Sequence, residues 1–191
     1  VVPEELEQLE RLSLTDKHMK LQKSLDAFLF CCYAGMRYSD FTNLSKKNIV
    51  DINQETWLIY KSVKTGTEVR LPLYLLFAGK GIVILNKYRN NLEDFFRLRD
   101  NSNINKDLII IAKLAGLSKK ISFHTARHTN ATLLIYNGVN ITTVQKLLGH
   151  KSVKTTQVYT NIMDMTIVHD LEKIKQAALG IKKKTDNSFN K

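Results

Sequence analysis

Residues 122–159 read SFHTARHTNATLLIYNGVNITTVQKLLGHKSVKTTQVY, and the order of residue types here decides how the rest of the chain is read. His124 and Arg127 stand three residues apart, so a helix puts them on one face. Gly138-Val139-Asn140 breaks that helix, and a short apolar segment follows that ends in Leu148-Gly149-His150. Tyr159 comes nine residues after His150. Ser122, Asn140 and Ser152 are suited to cap helices, and Gly138 and Gly149 to end them. Two histidines, an arginine and a tyrosine thus fall on consecutive short helices. Such a set can attack, clamp and protonate a phosphodiester.

The ordered fragments are His124-x-x-Arg127-His128-Thr129, Leu148-Gly149-His150 and Thr155-Thr156-x-x-Tyr159, with Ala34-Gly35-Met36-Arg37 far upstream. Together they resemble the signature of the tyrosine recombinases, the phage-type integrases. Each fragment alone is common; three in one order and spacing carry the resemblance, which covers most of the chain, from about Val2 to Leu171. It implies a catalytic set of Arg37, a hairpin lysine, His124, Arg127, His150 and the nucleophile Tyr159. It also implies a catalytic-domain fold that is mainly α with a small antiparallel β-sheet (α+β). Asn130 departs from the pattern, because the family usually has an apolar residue there, and the departure bears on packing.

The chain has 191 residues, which suits one domain with a real core. Lys and Arg number 29 against 18 Asp and Glu, a net charge of +11 and a sequence pI near 9.6. That excess favours a polyanionic partner, nucleic acid first, although charge alone is equally compatible with a basic soluble surface. Cys31 and Cys32 are adjacent in an apolar helical run, poorly placed to bridge each other and too few for a metal site. A reduced, cytoplasmic interior fits them. Leu25 to Met36, the most apolar segment, is too short to span a bilayer. No metal-ligand cluster, Walker loop or GxGxxG stands in the sequence, so chemistry without metal or cofactor is expected.

Taken in order, Pro3 to about Leu12 reads as a helix with proline and acids in its first turn. Thr15-Asp16 can cap the next, whose Leu21, Leu25, Phe28, Leu29 and Cys32 recur at helical spacing and predict a buried core helix ending at Ala34-Gly35. Asp40 follows Arg37 by three residues, able to orient its guanidinium or to start a short helix through Leu44. Ile49 to Leu73 is β-rich: Thr56–Tyr60 and Glu68–Leu73 flank Thr65-Gly66-Thr67, a hairpin turn. The resemblance places a catalytic lysine on such a hairpin. Lys64 fits its Lys-Thr-Gly layout more closely than the rival Lys61. Leu75 to Tyr88 and Ile104 to Leu117 read as helices around the polar stretch Arg99–Asn103. Met163 to Leu179 carries an apolar stripe, either ordinary core or a surface for a neighbouring subunit.

Residues 1–180 are therefore expected to be a tyrosine recombinase catalytic domain and residues 181–191, with Lys182-Lys183-Lys184, a basic disordered tail. The chain opens Val-Val-Pro, which reads as part of a longer protein, and the resemblance implies that an amino-terminal DNA-binding domain of the full protein is absent here. The resemblance implies double-stranded DNA as partner and a homo-tetramer on DNA for the full protein; a fragment of this length can be monomeric.

The expected activity is that of a site-specific recombinase or integrase of a mobile element. Arg37 and Arg127 would clamp the scissile phosphate, since a guanidinium binds phosphate bidentately and stays charged. Tyr159 would attack with His124 as base, His150 would assist, and Lys64 would protonate the 5′ oxygen. The 3′-phosphotyrosyl product keeps the bond energy, so no ATP is needed. Each residue type alone is more often structural, and His128, His18 and His169 are given no chemical role. Two other readings share the sequence: a type IB topoisomerase-like enzyme, and a DNA-binding regulator that keeps the fold without cleaving.

Overall fold

The computed structural model describes residues 1–157 and Leu171. Tyr159, the expected helix over Met163 to Leu179 apart from Leu171, and the tail over Ile181 to Lys191 lie outside the described residues.

The described residues form eight α-helices and one three-stranded sheet, so the mainly helical reading with a small antiparallel sheet holds. Helix α1 spans Pro3–Arg11 and α2 spans Gln22–Ala34. Every side chain of α2 from Leu25 to Ala34 is buried, the signature of a helix surrounded on all sides. Around it pack α1, α4 (Lys80–Lys87), α5 (Leu92–Phe96), α6 (Asn101–Leu114) and α7 (Phe123–Tyr136). The buried Asp26 of α2 accepts from Gln22, Lys87 Nζ at 2.8 Å and Tyr88 OH at 2.8 Å, which satisfies its charge. Cys31 and Cys32 are free and buried, and burial pushes both thiols up, away from the reactive thiolate.

The sheet runs β1 (Ile49–Ile52), β2 (Glu55–Lys61), β3 (Glu68–Pro72), all antiparallel. Asn53 and Gln54 turn β1 into β2 with φ of 53° and 67°, the paired positive angles of a two-residue hairpin. Leu58 and Tyr60 on β2 and Val69 and Leu71 on β3 face inward by strict alternation. The β2–β3 turn closes through Ser62 N–H to the Thr67 carbonyl at 2.9 Å and Gly66 N–H to the Ser62 carbonyl at 2.8 Å.

Five phenylalanines tie the framework together. Phe30, Phe41, Phe95, Phe96 and Phe123 meet in edge and tilted contacts with centroids between 5.3 and 6.2 Å apart. They join α2, the short α3 (Tyr38–Thr42), α5 and the first residue of α7. The helix that begins beside Arg37 and the helix that carries His124 therefore share one aromatic core.

The structure departs from expectation in three places. The Leu75–Tyr88 helix is broken: Leu76–Gly79 is a 3-10 turn with Phe77 and Ala78 at φ of 48° and 53°, and α4 starts only at Lys80. The Phe77 ring packs on Tyr33, a tertiary contact that periodicity does not register. Helix α6 begins at Asn101, inside the stretch read as polar linker, because Asp100 accepts from Asn103 N–H at 3.1 Å and caps it. Helix α5, capped by Asn91, was not expected at all. Among the described residues no helix is long and apolar enough to cross a membrane.

Candidate active site

Helix α2 ends at Gly35 in a left-handed conformation, φ 66°, and after the buried Met36 the chain delivers Arg37 at the cap position of α3. Arg37 keeps 16% of its side chain exposed beside Asp40, which keeps none. Arg37 Nη1 lies 3.5 Å from Asp40 Oδ2 and donates to Ser62 Oγ at 3.4 Å; Ser62 in turn donates to Asp40 at 3.4 Å. The other Asp40 oxygen accepts the Val63 N–H at 2.8 Å. Asp40 thus orients the guanidinium and ties it to the hairpin residue just before Lys64.

Helix α7 starts at the Ser122 cap, where Ser122 N–H donates to Thr125 Oγ1 at 3.0 Å, one half of a capping box. His124 and His128 then sit one turn apart with rings perpendicular and centroids 4.5 Å apart. Arg127, between them in sequence, is 3% exposed. Its Nη1 donates to the Gly35 carbonyl and its Nη2 to the Leu148 carbonyl, both at 2.7 Å. One side chain therefore joins the end of α2 to the end of α8 (Ile141–Leu148). The sequence signals its charge; nothing in the sequence signals that its fork binds two helix ends.

Asn140 caps α8 by accepting from Thr142 N–H at 2.9 Å, and Gly149 closes it at φ 64°. An added Cβ at Gly149 would stand 2.6 Å from Val69 of β3, so the helix end lies directly on the sheet. Thr65, in the β2–β3 turn, donates to the Gly149 carbonyl at 3.2 Å. His150 follows, its Nδ1 paired with the buried Thr156 hydroxyl at 2.9 Å.

The charges agree with this crowding. Burial pushes His150 down to about 4, helped by the nearby Arg127, Arg37 and His128. His124 is lowered by burial and by His128, Arg127, Arg37 and Lys64. His128 is lowered by burial and Arg127. The shared direction favours the neutral imidazole at all three positions.

A cleft of about 350 Å³ is lined by Arg37, Tyr38, Ser39, Lys64, Asn101 and His124. Of the residues singled out from sequence, Arg37, Lys64 and His124 meet there. Arg127 and His150 do not line it, although the Arg127 charge acts on both His124 and His150. Lys61 pairs with Glu68 at the base of the hairpin and does not line the cleft. A larger cavity of about 440 Å³, between α1 and the end of α7, shares no residue with it. Among the described residues no group of His, Cys, Asp and Glu could hold a metal ion.

Tyr159 lies outside the described residues. Two described tyrosines stand close to the site and are poor rivals for it. Tyr60 has a buried hydroxyl without a hydrogen-bond partner among the described residues, and burial and Asp40 push its pKa up. Tyr38 donates to the Arg99 carbonyl at 2.6 Å and is likewise raised by burial. Sequence reasoning missed Tyr38, Ser39 and Asn101 as lining residues; only the first two have a signal, their adjacency to Arg37.

The model of the phage integrase family matches residues 2–165, and the chain belongs to that family as a tyrosine recombinase catalytic domain. A tyrosine recombinase of Pseudothermotoga lettingae is 30% identical over 181 residues, covering 92% of this chain and 60% of the relative. The crystal structure of XerA recombinase superposes with a TM-score of 0.69 at 25% identity, over 91% of this chain and 64% of that one. The XerH site-specific recombinase bound to its palindromic difH substrate, a post-cleavage complex, superposes at 0.65 with 21% identity, over 93% and 52%, a likeness of fold. The chain spans about half the length of the curated relatives it matches.

Proposed function

We propose that this chain is the catalytic domain of a site-specific DNA recombinase of a mobile element, cleaving and rejoining DNA through a 3′-phosphotyrosyl intermediate. The observation that carries the reading is the convergence of Arg37, Lys64 and His124 on one cleft, with Arg127 close enough to depress both His124 and His150. The net charge of +11 supports DNA as the partner, and so does the likeness to XerH site-specific recombinase bound to its palindromic difH substrate.

Arg37, oriented by Asp40, binds the non-bridging oxygens of the scissile phosphate, and Arg127 adds a fixed positive charge beside it. Tyr159 attacks phosphorus. A free phenol with a pKa of about 10 needs a base, and the neutral His124 takes its proton. In the tautomer in which the Thr156 hydroxyl donates to Nδ1, the neutral His150 ring carries its proton on Nε2, a donor for a phosphate oxygen. As the bond from phosphorus to the 5′ oxygen breaks, Lys64 protonates that oxygen. Reversal by another strand's 5′ hydroxyl rejoins the backbone with no external energy source.

Residues 1–180 serve as the catalytic domain and the lysine-rich end as a basic tail, acting with an amino-terminal DNA-binding domain, in the cytoplasm, as a tetramer on two duplexes. The test uses the protein in its longest natural form, mixed in EDTA with candidate-site DNA nicked near the scissile phosphate. A covalent protein–DNA band on a denaturing gel that disappears in Tyr159→Phe supports the reading. DNA binding without any band across several sites points instead to a non-cleaving regulator.

A further inference from the structure

Asn130 lies on α7 three residues beyond Arg127 and is 2% exposed. Its Nδ2 donates to the carbonyls of Cys32, at 3.0 Å, and Tyr33, at 2.9 Å. Both belong to the last turn of α2, where carbonyls have no donor within their own helix. The neighbouring groups are also taken: Gly35 N–H bonds the Cys31 carbonyl at 2.8 Å, and Arg127 bonds the Gly35 carbonyl at 2.7 Å. Two residues on one face of α7 thus finish the end of α2. The amide orientation follows from its partners, since the flipped form would set oxygen against two carbonyl oxygens.

The fit extends to the backbone opposite. A Cβ on Gly35 would come within 2.6 Å of Asn130 Oδ1 and 2.8 Å of a Leu148 methyl, so the amide seats against bare backbone. Two residues later stands Arg37. An apolar side chain at position 130 would fill the space and leave the two carbonyls without a donor.

We propose that Asn130 is a positioning residue: together with Arg127 it locks the end of α2, and so sets the separation at which Arg37 and Arg127 address one phosphate. This inference rests on the phosphodiester-cleaving reading above. Asn130 touches no reacting atom. Its effect reaches the chemistry through the arginine pair, and that route gives it a distinct signature.

The experiment compares single-turnover cleavage of nicked DNA carrying an ordinary scissile phosphate with the same DNA carrying a methylphosphonate there. The methyl group removes the negative charge the arginines balance, so a defect transmitted through them shrinks on the neutral centre. For Asn130→Leu in the longest natural form of the protein, DNA affinity should stay within about 2-fold, because the exposed basic surface is untouched. The covalent rate on the phosphodiester should fall about 10- to 100-fold, the scale of a small misplacement. On methylphosphonate the gap to wild type should close to about 3-fold or less. An equal gap on both substrates would mean general loosening and overturn the proposal, as would a wild-type rate on the phosphodiester. Should Asn130→Leu fail to fold by circular dichroism, the isosteric Asn130→Asp removes the donor with packing kept and is read the same way. A wild-type protein that cleaves neither substrate sinks the parent reading and this one together; an active wild type with an indifferent variant sinks only this one.

Discussion

The two cationic parts of the cleft are built in opposite ways. The arginine pair belongs to the core: Arg127 is 3% exposed and braces two helix ends, and Arg37 leans on a carboxylate with no exposed surface. The β2–β3 turn, with Lys64, is tied to the rest of the fold by hydrogen bonds: Ser62 with Arg37 and Asp40, Val63 N–H to Asp40, and Thr65 to the Gly149 carbonyl. Val63 beside Lys64 is 56% exposed. The difference teaches a division of labour. On the proposed chemistry, the groups that meet the phosphate are fixed when the chain folds, whereas Lys64, the proposed proton donor, sits on a turn that bound DNA can finish positioning.

The sharpest way to break this comparison is Arg127→Ala. If the side chain is both brace and clamp, its loss strands two buried carbonyls and should cost about 2–5 kcal/mol of stability by denaturant titration. Cleavage should fall by about 10³-fold or more. Loss of cleavage with an unchanged denaturation midpoint would show that the bracing is incidental. Lys64→Ala should behave differently: stability within about 0.5 kcal/mol of wild type, and cleavage down about 10²- to 10⁴-fold. That loss should be largely recovered on DNA whose 5′ bridging oxygen is sulfur, a leaving group that needs no acid. A variant that stays slow on the sulfur substrate would remove Lys64 from the acid role.

The histidines give a prediction with a definite sign. His150 is pushed down to about 4 when folded, against about 6.5 in an unfolded chain. Between those values the unfolded state binds more protons, so stability rises with pH across the window and is lost as pH falls from about 6.5 toward 4. The lowered His124 acts in the same direction. His150→Asn should flatten the slope in that window, as measured by denaturation midpoints at several pH values; an unchanged slope would mean that the ring is not held neutral. The smallest effect belongs to the hairpin tether. Thr65→Val removes two partly buried hydrogen bonds, the donation to the Gly149 carbonyl and the long one accepted from Thr67 N–H, and should cost about 0.5–1.5 kcal/mol, chiefly from the first, with faster hydrogen exchange confined to the β2–β3 turn.

The legible parts of this molecule were those written in local pattern. The unbroken apolar run of α2 announced a buried helix, and Thr65-Gly66-Thr67 announced the hairpin that lifts Lys64 into the cleft. The order of His124, Arg127, His150 and Tyr159 announced a family. What stayed hidden depends on partners distant in sequence. Phe77 breaks an otherwise periodic helix, packed against Tyr33. Asn130 looked like a packing substitution because the carbonyls it serves lie 97 and 98 residues away. Arg127 announced a charge and concealed a brace.

The nucleophile is identified most directly by trapping the covalent complex on nicked DNA, digesting both components, and finding by mass spectrometry which residue keeps the nucleotide. Attack by Tyr159 predicts a nucleotide joined through its 3′-phosphate to the peptide containing Tyr159. The same adduct on Tyr38, which lines the cleft beside Arg37, would contradict the assignment of the nucleophile while leaving the clamp in place. A 5′-phosphate linkage on any residue would contradict the chemistry itself.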